Sequence, residues 1–191
     1  MAEQSTMLPL GTVAPSFHLP DPNGNQVSLD NFPDASAFLV VFLCNHCPYV
    51  KHVQSSFTQL ARDYQARGVA VVAINSNDVE AHPEDRPEKM AEEILNAGYT
   101  FPYVFDETQN VAKAYGAACT PDFFLFDKER RLAYRGQYDA SRPKNGLPVT
   151  GADLRASLEA VLNGRPQPVD QKPSVGCGIK WKRQNAGRSA N

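Results

Sequence analysis

Ala37-Phe38-Leu39-Val40-Val41-Phe42-Leu43-Cys44-Asn45-His46-Cys47-Pro48 is the stretch whose reading decides the fold of this chain. The first seven residues are continuously apolar and rich in β-branched and aromatic side chains, which predicts a strand covered on both faces, as in a parallel sheet. Two cysteines follow directly, two residues apart. Pro48 then opens a helix, since its fixed φ and missing N–H suit the first helical turn. Val50, Val53, Phe57, Leu60, Ala61 and Tyr64 recur at three- and four-residue spacing, so one face of a helix reaching about Ala66 can pack on the sheet. A buried strand thus delivers a dithiol to the sheet edge at the start of a helix.

Outward from this core, Phe17-His18-Leu19 and Val27-Ser28-Leu29 flank the turn Pro22-Asn23-Gly24-Asn25 and predict an N-terminal β-hairpin capping one sheet edge. Residues 69–74 read as the next strand, making a βαβ unit with a right-handed crossover, and Gly68 stops the helix between. Between Asn75 and Arg86 the composition turns polar, which predicts a surface excursion before a short inserted helix over residues 87–96. Tyr103-Val104-Phe105 reads as a strand, and Asp106 or Thr108 as the cap of a helix reaching Tyr115. Residues 122–127 and 132–136 bracket the charged turn Lys128-Glu129-Arg130-Arg131 as an antiparallel pair. A last helix over residues 152–162 presents Leu154, Leu158, Val161 and Leu162 on one face and stops at Asn163-Gly164.

A chain of 191 residues suits one domain, here residues 1–164, and residues 165–191 form a C-terminal extension that carries Cys177. The proline-bearing lead over residues 165–173 should be extended and mobile. A net charge of −2 gives no electrostatic signature of nucleic-acid or membrane-surface binding. The extension is a local exception, with Lys172, Lys180, Lys182, Arg183 and Arg188 and no acidic residue beyond Asp170. The first ten residues lack a secretory pattern and no run of about eighteen apolar residues occurs, so a cytoplasmic protein is expected. Four cysteines are too few for a disulfide scaffold, and in a reducing compartment a Cys-x-x-Cys pair is catalytic or metal-binding more often than structural.

The order strand, Cys-x-x-Cys, helix, strand, inserted helix, strand, helix, Thr-Pro, hairpin, terminal helix resembles the thioredoxin superfamily. More narrowly it is similar to the redoxin branch that shares a domain with alkyl hydroperoxide reductase and with the thioredoxin-like reductases of cytochrome maturation. The resemblance spans about residues 8–164 and rests on Cys44-Asn45-His46-Cys47-Pro48 and on Thr120-Pro121-Asp122-Phe123-Phe124-Leu125-Phe126-Asp127. It implies a three-layer α/β/α sandwich around a central mixed sheet, and thiol–disulfide oxidoreduction without metal or organic cofactor. The implied partners are a protein or small-molecule disulfide or thiol and an external reductant. Thr120-Pro121 resembles the superfamily's cis-proline loop, which lies opposite the dithiol and pairs with an extended substrate.

Attack on a disulfide needs a thiolate, and a free cysteine of pKa ~8.5 is only about 3% ionised at pH 7. A helix N-terminus favours the anion, so Cys44 is expected as nucleophile and Cys47, a turn further in and protonated, as resolving thiol. His46 resembles the histidine that disulfide isomerases carry before the second cysteine, which implies that it stabilises the Cys44 thiolate. His52 reads as an ordinary surface or half-buried residue, and Cys119 as a small buried apolar one. Cys177, between Gly176 and Gly178, is a candidate accessory thiol able to swing to the site, and Cys119 is the other candidate accessory thiol. Two alternatives stand beside the dithiol: a thiol peroxidase with Cys44 peroxidatic, and a copper- or zinc-holding module built on Cys44, Cys47 and a histidine. Two departures from the family pattern matter. The strand before the motif lacks thioredoxin's buried carboxylate, leaving Asp122, Glu107 or the histidines as substitutes, and Val41 stands where peroxiredoxins carry threonine.

Overall fold

The computed structural model describes residues 2–168 and 170–183. Three short strands, Ala2–Gln4 (β1), Leu19–Pro20 (β2) and Gln26–Val27 (β3), precede the apolar strand Ala37–Phe42 (β4), the helix Pro48–Gln65 (α1) and the strand Val69–Asn75 (β5). Pro87–Ala97 (α2), Tyr103–Phe105 (β6), Asn110–Tyr115 (α3), Cys119–Thr120 (β7), Asp122–Asp127 (β8) and Leu132–Gly136 (β9) follow, then Ala152–Leu162 (α4) and Val175–Gly178 (β10). The main sheet runs β6-β5-β4-β8-β9, parallel from β6 to β4 and antiparallel from β4 to β9, so it is mixed.

β4 is central, and all its residues are buried because each face is covered by a separate layer. Ala37, Leu39 and Val41 join a cluster with Val50, Val53, Phe57 and Leu60 of α1 and Leu154 and Leu158 of α4. Phe38, Val40 and Phe42 point the other way, into a cluster with Val27, Leu29, Ala112 and Tyr115. This period-two alternation turns one apolar run into two cores, and each fully buried Val, Leu or Phe contributes about 1.5–3 kcal/mol. The result is a three-layer α/β/α sandwich. The expected α1 face, Val50, Val53, Phe57, Leu60, Ala61 and Tyr64, is the buried one.

The hairpin is shorter than its sequence signal: only Leu19–Pro20 and Gln26–Val27 pair. The Asp21 carboxylate accepts the N–H groups of Asn23 and Asn25 at 2.8 and 2.9 Å, so a side chain closes the turn where ladder bonds would otherwise continue. At α3 the N-cap position is held by Gln109, while Asp106 accepts the N–H of Ala112 at 2.9 Å and Thr108 that of Asn110 at 3.3 Å.

Two segments depart from expectation. Residues 75–86 are not merely a surface excursion, because Asn75, Ser76, Asn77 and Asp85 are buried. They bond one another: Asn75 Nδ2 donates to the Asp85 carbonyl at 2.7 Å and Asn77 Nδ2 to Asp85 Oδ2 at 2.8 Å. Polar composition predicts a loop, but inward-facing polar groups that satisfy each other are buried at little cost. Residues 170–183 of the C-terminal extension are likewise no loose tail. β10 is the middle strand of a second sheet, antiparallel to β1 on one side and to β7 on the other. Ile179 anchors it in the second core cluster, whereas Trp181 is 42% exposed. Lys180 N donates to Asn77 Oδ1 at 2.9 Å, and its carbonyl accepts from Asp78 N and Gln109 Nε2, both at 2.8 Å. Arg188, counted in the basic extension, lies outside the described residues.

Candidate active site

Cys44 leaves the end of β4 and Cys47 stands at the N-cap of α1, with Pro48 in the first turn. Both are buried, at 2% and 0% exposure, and all four cysteines of the chain are free thiols. Thr120 faces both sulfurs from β7: its Oγ1 lies 3.1 Å from Cys44 Sγ, and its carbonyl accepts from the Cys47 thiol at 3.2 Å. The Thr120–Pro121 bond is cis. The two elements singled out in the sequence, more than seventy residues apart, therefore meet.

The helix begins at Pro48, as its proline predicts, so the pair precedes the helix and Cys47 stands at its N-cap without a side-chain cap bond. By its place before the helix Cys44 is the expected thiolate; the interaction of the two thiols, with Cys177 and the Val50 N–H, favours the anion on Cys47 as well, bringing it down to about 5 against the cost of burial. Cys44 moves the opposite way, raised by its bond to Cys47, by burial and by the negative charge of Asp85. The reduced pair thus gives up one proton readily and keeps the second.

The carboxylate absent from β4 arrives from elsewhere. Asp85, wholly buried, accepts Asn45 N–H at 2.8 Å, His46 Nδ1 at 2.7 Å and Asn77 Nδ2 at 2.8 Å. Burial pushes its pKa up, but the bonds from His46, Asn77 and Asn45 outweigh that and leave it below the ordinary value. His46 is raised in turn, chiefly by its hydrogen bond to Asp85, and its ring stacks on His82 at 4.9 Å. Asn45 completes the frame, accepting from Tyr103 OH at 3.1 Å and donating to the Glu84 carbonyl at 2.9 Å. The expected substitutes lie elsewhere: Glu107 is exposed, and Asp122 is buried against Arg135 at 3.2 Å, with Oδ2 also accepting from Ala118 N.

His52 bonds Ser141 Oγ at 3.0 Å and is half-buried. Cys119 is fully buried, with a 3.8 Å contact to the Pro121 carbonyl, and burial followed by the nearby Asp122 charge pushes its thiol up. Cys177, on β10, lies opposite Thr120 and packs against the core cluster that holds Cys44 and Cys47. Among the described residues two groups bring three metal-capable atoms within 4.8 Å of one another, Cys44 with His46 and Asp85, and His46 with His82 and Glu84. The set Cys44, Cys47 and a histidine is not one of them. Nor is any described helix long and apolar enough to cross a membrane.

Sequence reasoning missed Asp85, Asn77 and Tyr103. The one available signal was the density of Asn and Asp between residues 75 and 85, which equally describes an exposed loop.

Residues 10–135 match the model of the AhpC/TSA family. The thiol-disulfide oxidoreductase ResA of Geobacillus thermodenitrificans is 31% identical over 129 residues, covering 68% of this chain and 70% of that protein. A crystal structure of an uncharacterized conserved protein from Geobacillus kaustophilus is similar at 55% identity and a TM-score of 0.94, over 96% of this chain and 98% of that one. The thioredoxin domain of a thiol-disulfide oxidoreductase from Bacteroides vulgatus shares the fold, with a TM-score of 0.57 at 21% identity over 68% of this chain and 89% of that one. With the sandwich, the paired thiols and Thr120-Pro121 in place, the chain belongs to the AhpC/TSA family and has a thioredoxin-like fold.

Proposed function

We propose that this protein is a thiol–disulfide oxidoreductase working through Cys44 and Cys47. The observation that carries the reading is the pair itself: two buried thiols at the start of a helix, both facing Thr120, with one brought down to about 5. A thiolate is the attacking species in disulfide exchange, so Cys47 attacks one sulfur of a substrate disulfide and the other sulfur leaves, taking up a proton. Cys44 then attacks the mixed disulfide at Cys47, releasing the second substrate thiol and closing the Cys44–Cys47 disulfide. Asp85, whose carboxylate lies within 4.8 Å of Cys44 Sγ, is the base available to take the Cys44 proton. Protonated His46 holds that carboxylate in place and offsets its charge. Thr120 and Pro121 form the wall against which the substrate lies. An external reductant supplies two electrons and two protons to restore the dithiol.

Trapping tests both the reading and the order of attack. In a Cys177→Ser background, which removes the third thiol, Cys44→Ser should accumulate a mixed disulfide on Cys47 with a disulfide substrate, seen by mass spectrometry. Accumulation only in Cys47→Ser would return attack to Cys44, and accumulation in neither would end the dithiol reading.

A second reading is favoured by one observation: the Thr120 hydroxyl stands at Cys44, and both thiols are sealed from all but small reactants. Peroxide would oxidise one thiolate to sulfenic acid, and the other thiol would condense with it to the same disulfide, releasing water. Stopped-flow mixing of the reduced protein with hydrogen peroxide tests this. Oxidation no faster than that of a free thiol would remove it.

A further inference from the structure

The C-terminal strand sits where an extended substrate would pair. β10 runs antiparallel to β7, with Cys177 opposite Thr120 and Gly178 opposite Cys119, so it takes the backbone edge that leads into Pro121. In strand addition, main-chain bonds to such an edge supply affinity and alternate side chains are presented to the site. Here the presented side chain is a thiol. The approach is close: a Cβ on Gly176 would lie 2.1 Å from the Thr120 carbonyl oxygen, so only glycine admits the strand at this separation. With β10 seated, Cys44 and Cys47 are 2% and 0% exposed.

The three thiols converge on Thr120: its Oγ1 lies 3.1 Å from Cys44 Sγ, its carbonyl 3.2 Å from Cys47 Sγ, and Cys177 stands opposite it in the ladder. Cys177 also packs against the core cluster that holds both active-site cysteines. A third thiol beside a disulfide is placed for exchange, because attack on one sulfur displaces the other.

Resting on the Cys44/Cys47 reading, we propose that β10 is a tethered internal substrate and that Cys177 exchanges with the active-site disulfide. In the oxidised protein Cys177 Sγ attacks Cys47 Sγ, a Cys47–Cys177 bond forms, and the Cys44–Cys47 bond breaks. The proton lost by Cys177 ends on Cys44. No electrons enter or leave, so the step needs no further oxidant. Its product is a protein whose substrate groove is closed by a covalent bond and whose Cys44 is again a thiol. In the reduced protein the reaction is held off, since burial and the hydrogen bond to Cys47 push the Cys177 thiol up to about 11. Once Cys47 is in a disulfide its charge is gone, and that part of the restraint with it.

The extension is also wired to the rest of the site. Lys180 N–H bonds Asn77 Oδ1, and Asn77 Nδ2 bonds the Asp85 carboxylate that holds His46. Release of β10 for a protein substrate therefore breaks a bond to the residue that positions Asp85.

The test oxidises the full chain with one equivalent of a thiol oxidant, quenches with an alkylating reagent and maps the peptides without reduction. The expected result is a Cys47–Cys177 linkage within one molecule, with alkylation lost at Cys177 and gained in equal measure at Cys44. Cys44→Ser should give that linkage alone. If Cys177 stays fully alkylated in the wild-type protein, or is found only between molecules, the proposal fails. A Cys44–Cys47 disulfide in that same sample, or in Cys177→Ser, would leave the dithiol reading standing. Loss of both linkages would fell the two together.

Discussion

Asp85 beside the dithiol and Asp122 beneath Thr120-Pro121 are both wholly buried carboxylates, yet their pKa values move in opposite directions. Asp85 has a histidine, an amide side chain and a backbone N–H on its two oxygens, which outweigh burial. Asp122 sits against the Arg135 guanidinium, yet burial wins and raises it to about 6. Its Oδ1 and the Arg135 Nε have no partner among the described residues. A formal opposite charge is thus a weaker support for a buried carboxylate than a full set of donors. One carboxylate is built to remain charged beside reacting sulfurs, the other to hold a strand junction together.

The largest effect should come from breaking the second of these sites. Arg135→Leu strands the Asp122 carboxylate and removes bonds to the Gly116 carbonyl and Thr6, so urea unfolding should register a loss of about 3–5 kcal/mol. Arg135→Leu combined with Asp122→Asn should recover part of it. A double variant no more stable than the single one would show that the uncompensated charge is not the cause.

Asp85→Asn comes next, with a loss of about 1–3 kcal/mol as the buried donors of His46 and Asn77 lose a charged acceptor. The same change should lower the His46 pKa, followed by NMR titration, and ease ionisation of Cys44 by removing a nearby negative charge. An unmoved His46 would separate the two residues functionally.

The pH dependence of stability should carry both signs, each at most about 1.4 kcal/mol per pH unit for one proton. Asp122, raised from 3.8 to about 6, holds a proton in the folded state that the unfolded chain lacks, so its contribution grows as pH falls from about 6 towards 3.8. Asp85, lowered, contributes stability above its unfolded value of 3.8 and loses it as pH falls through the folded value. Unfolding free energies across this range should lose the first slope in Asp122→Asn and keep the second.

The smallest effect is expected at His46. Its raised pKa means that its charge stabilises the fold below the unfolded value of 6.5, and that this is lost as pH rises through the folded one. His46→Ala should raise the Cys47 pKa by about one unit or less, read as thiolate absorbance against pH. No movement would remove His46 from the electrostatics of the dithiol.

Much of this fold was legible because its signals are local. The continuous run of residues 37–43 can only be a strand covered on both faces, and the α1 periodicity names the residues that cover one of them. Cys44, Cys47 and Thr120-Pro121 were likewise readable as spaced residue types. How the two thiols share charge was not legible, because it depends on groups from distant parts of the chain, Asp85 and Thr120 beside Cys44 and Cys177 beside Cys47. Asp85 was illegible because a buried polar hub and an exposed loop have the same composition. The difference lies in which way side chains face.

What the sequence determined by itself is the set of elements, their order and the residue types available for chemistry, since propensity, periodicity and capping act over a few residues. Tertiary structure alone decided which distant groups meet. It brought Asp85 from the insertion to His46, set Thr120 against both sulfurs, and laid β10 on β7 with Cys177 beside Cys47. Those contacts join residues 39 to 130 positions apart, and no local preference encodes them. They follow from the packing of two cores around β4 and from the requirement that each buried polar group find a partner.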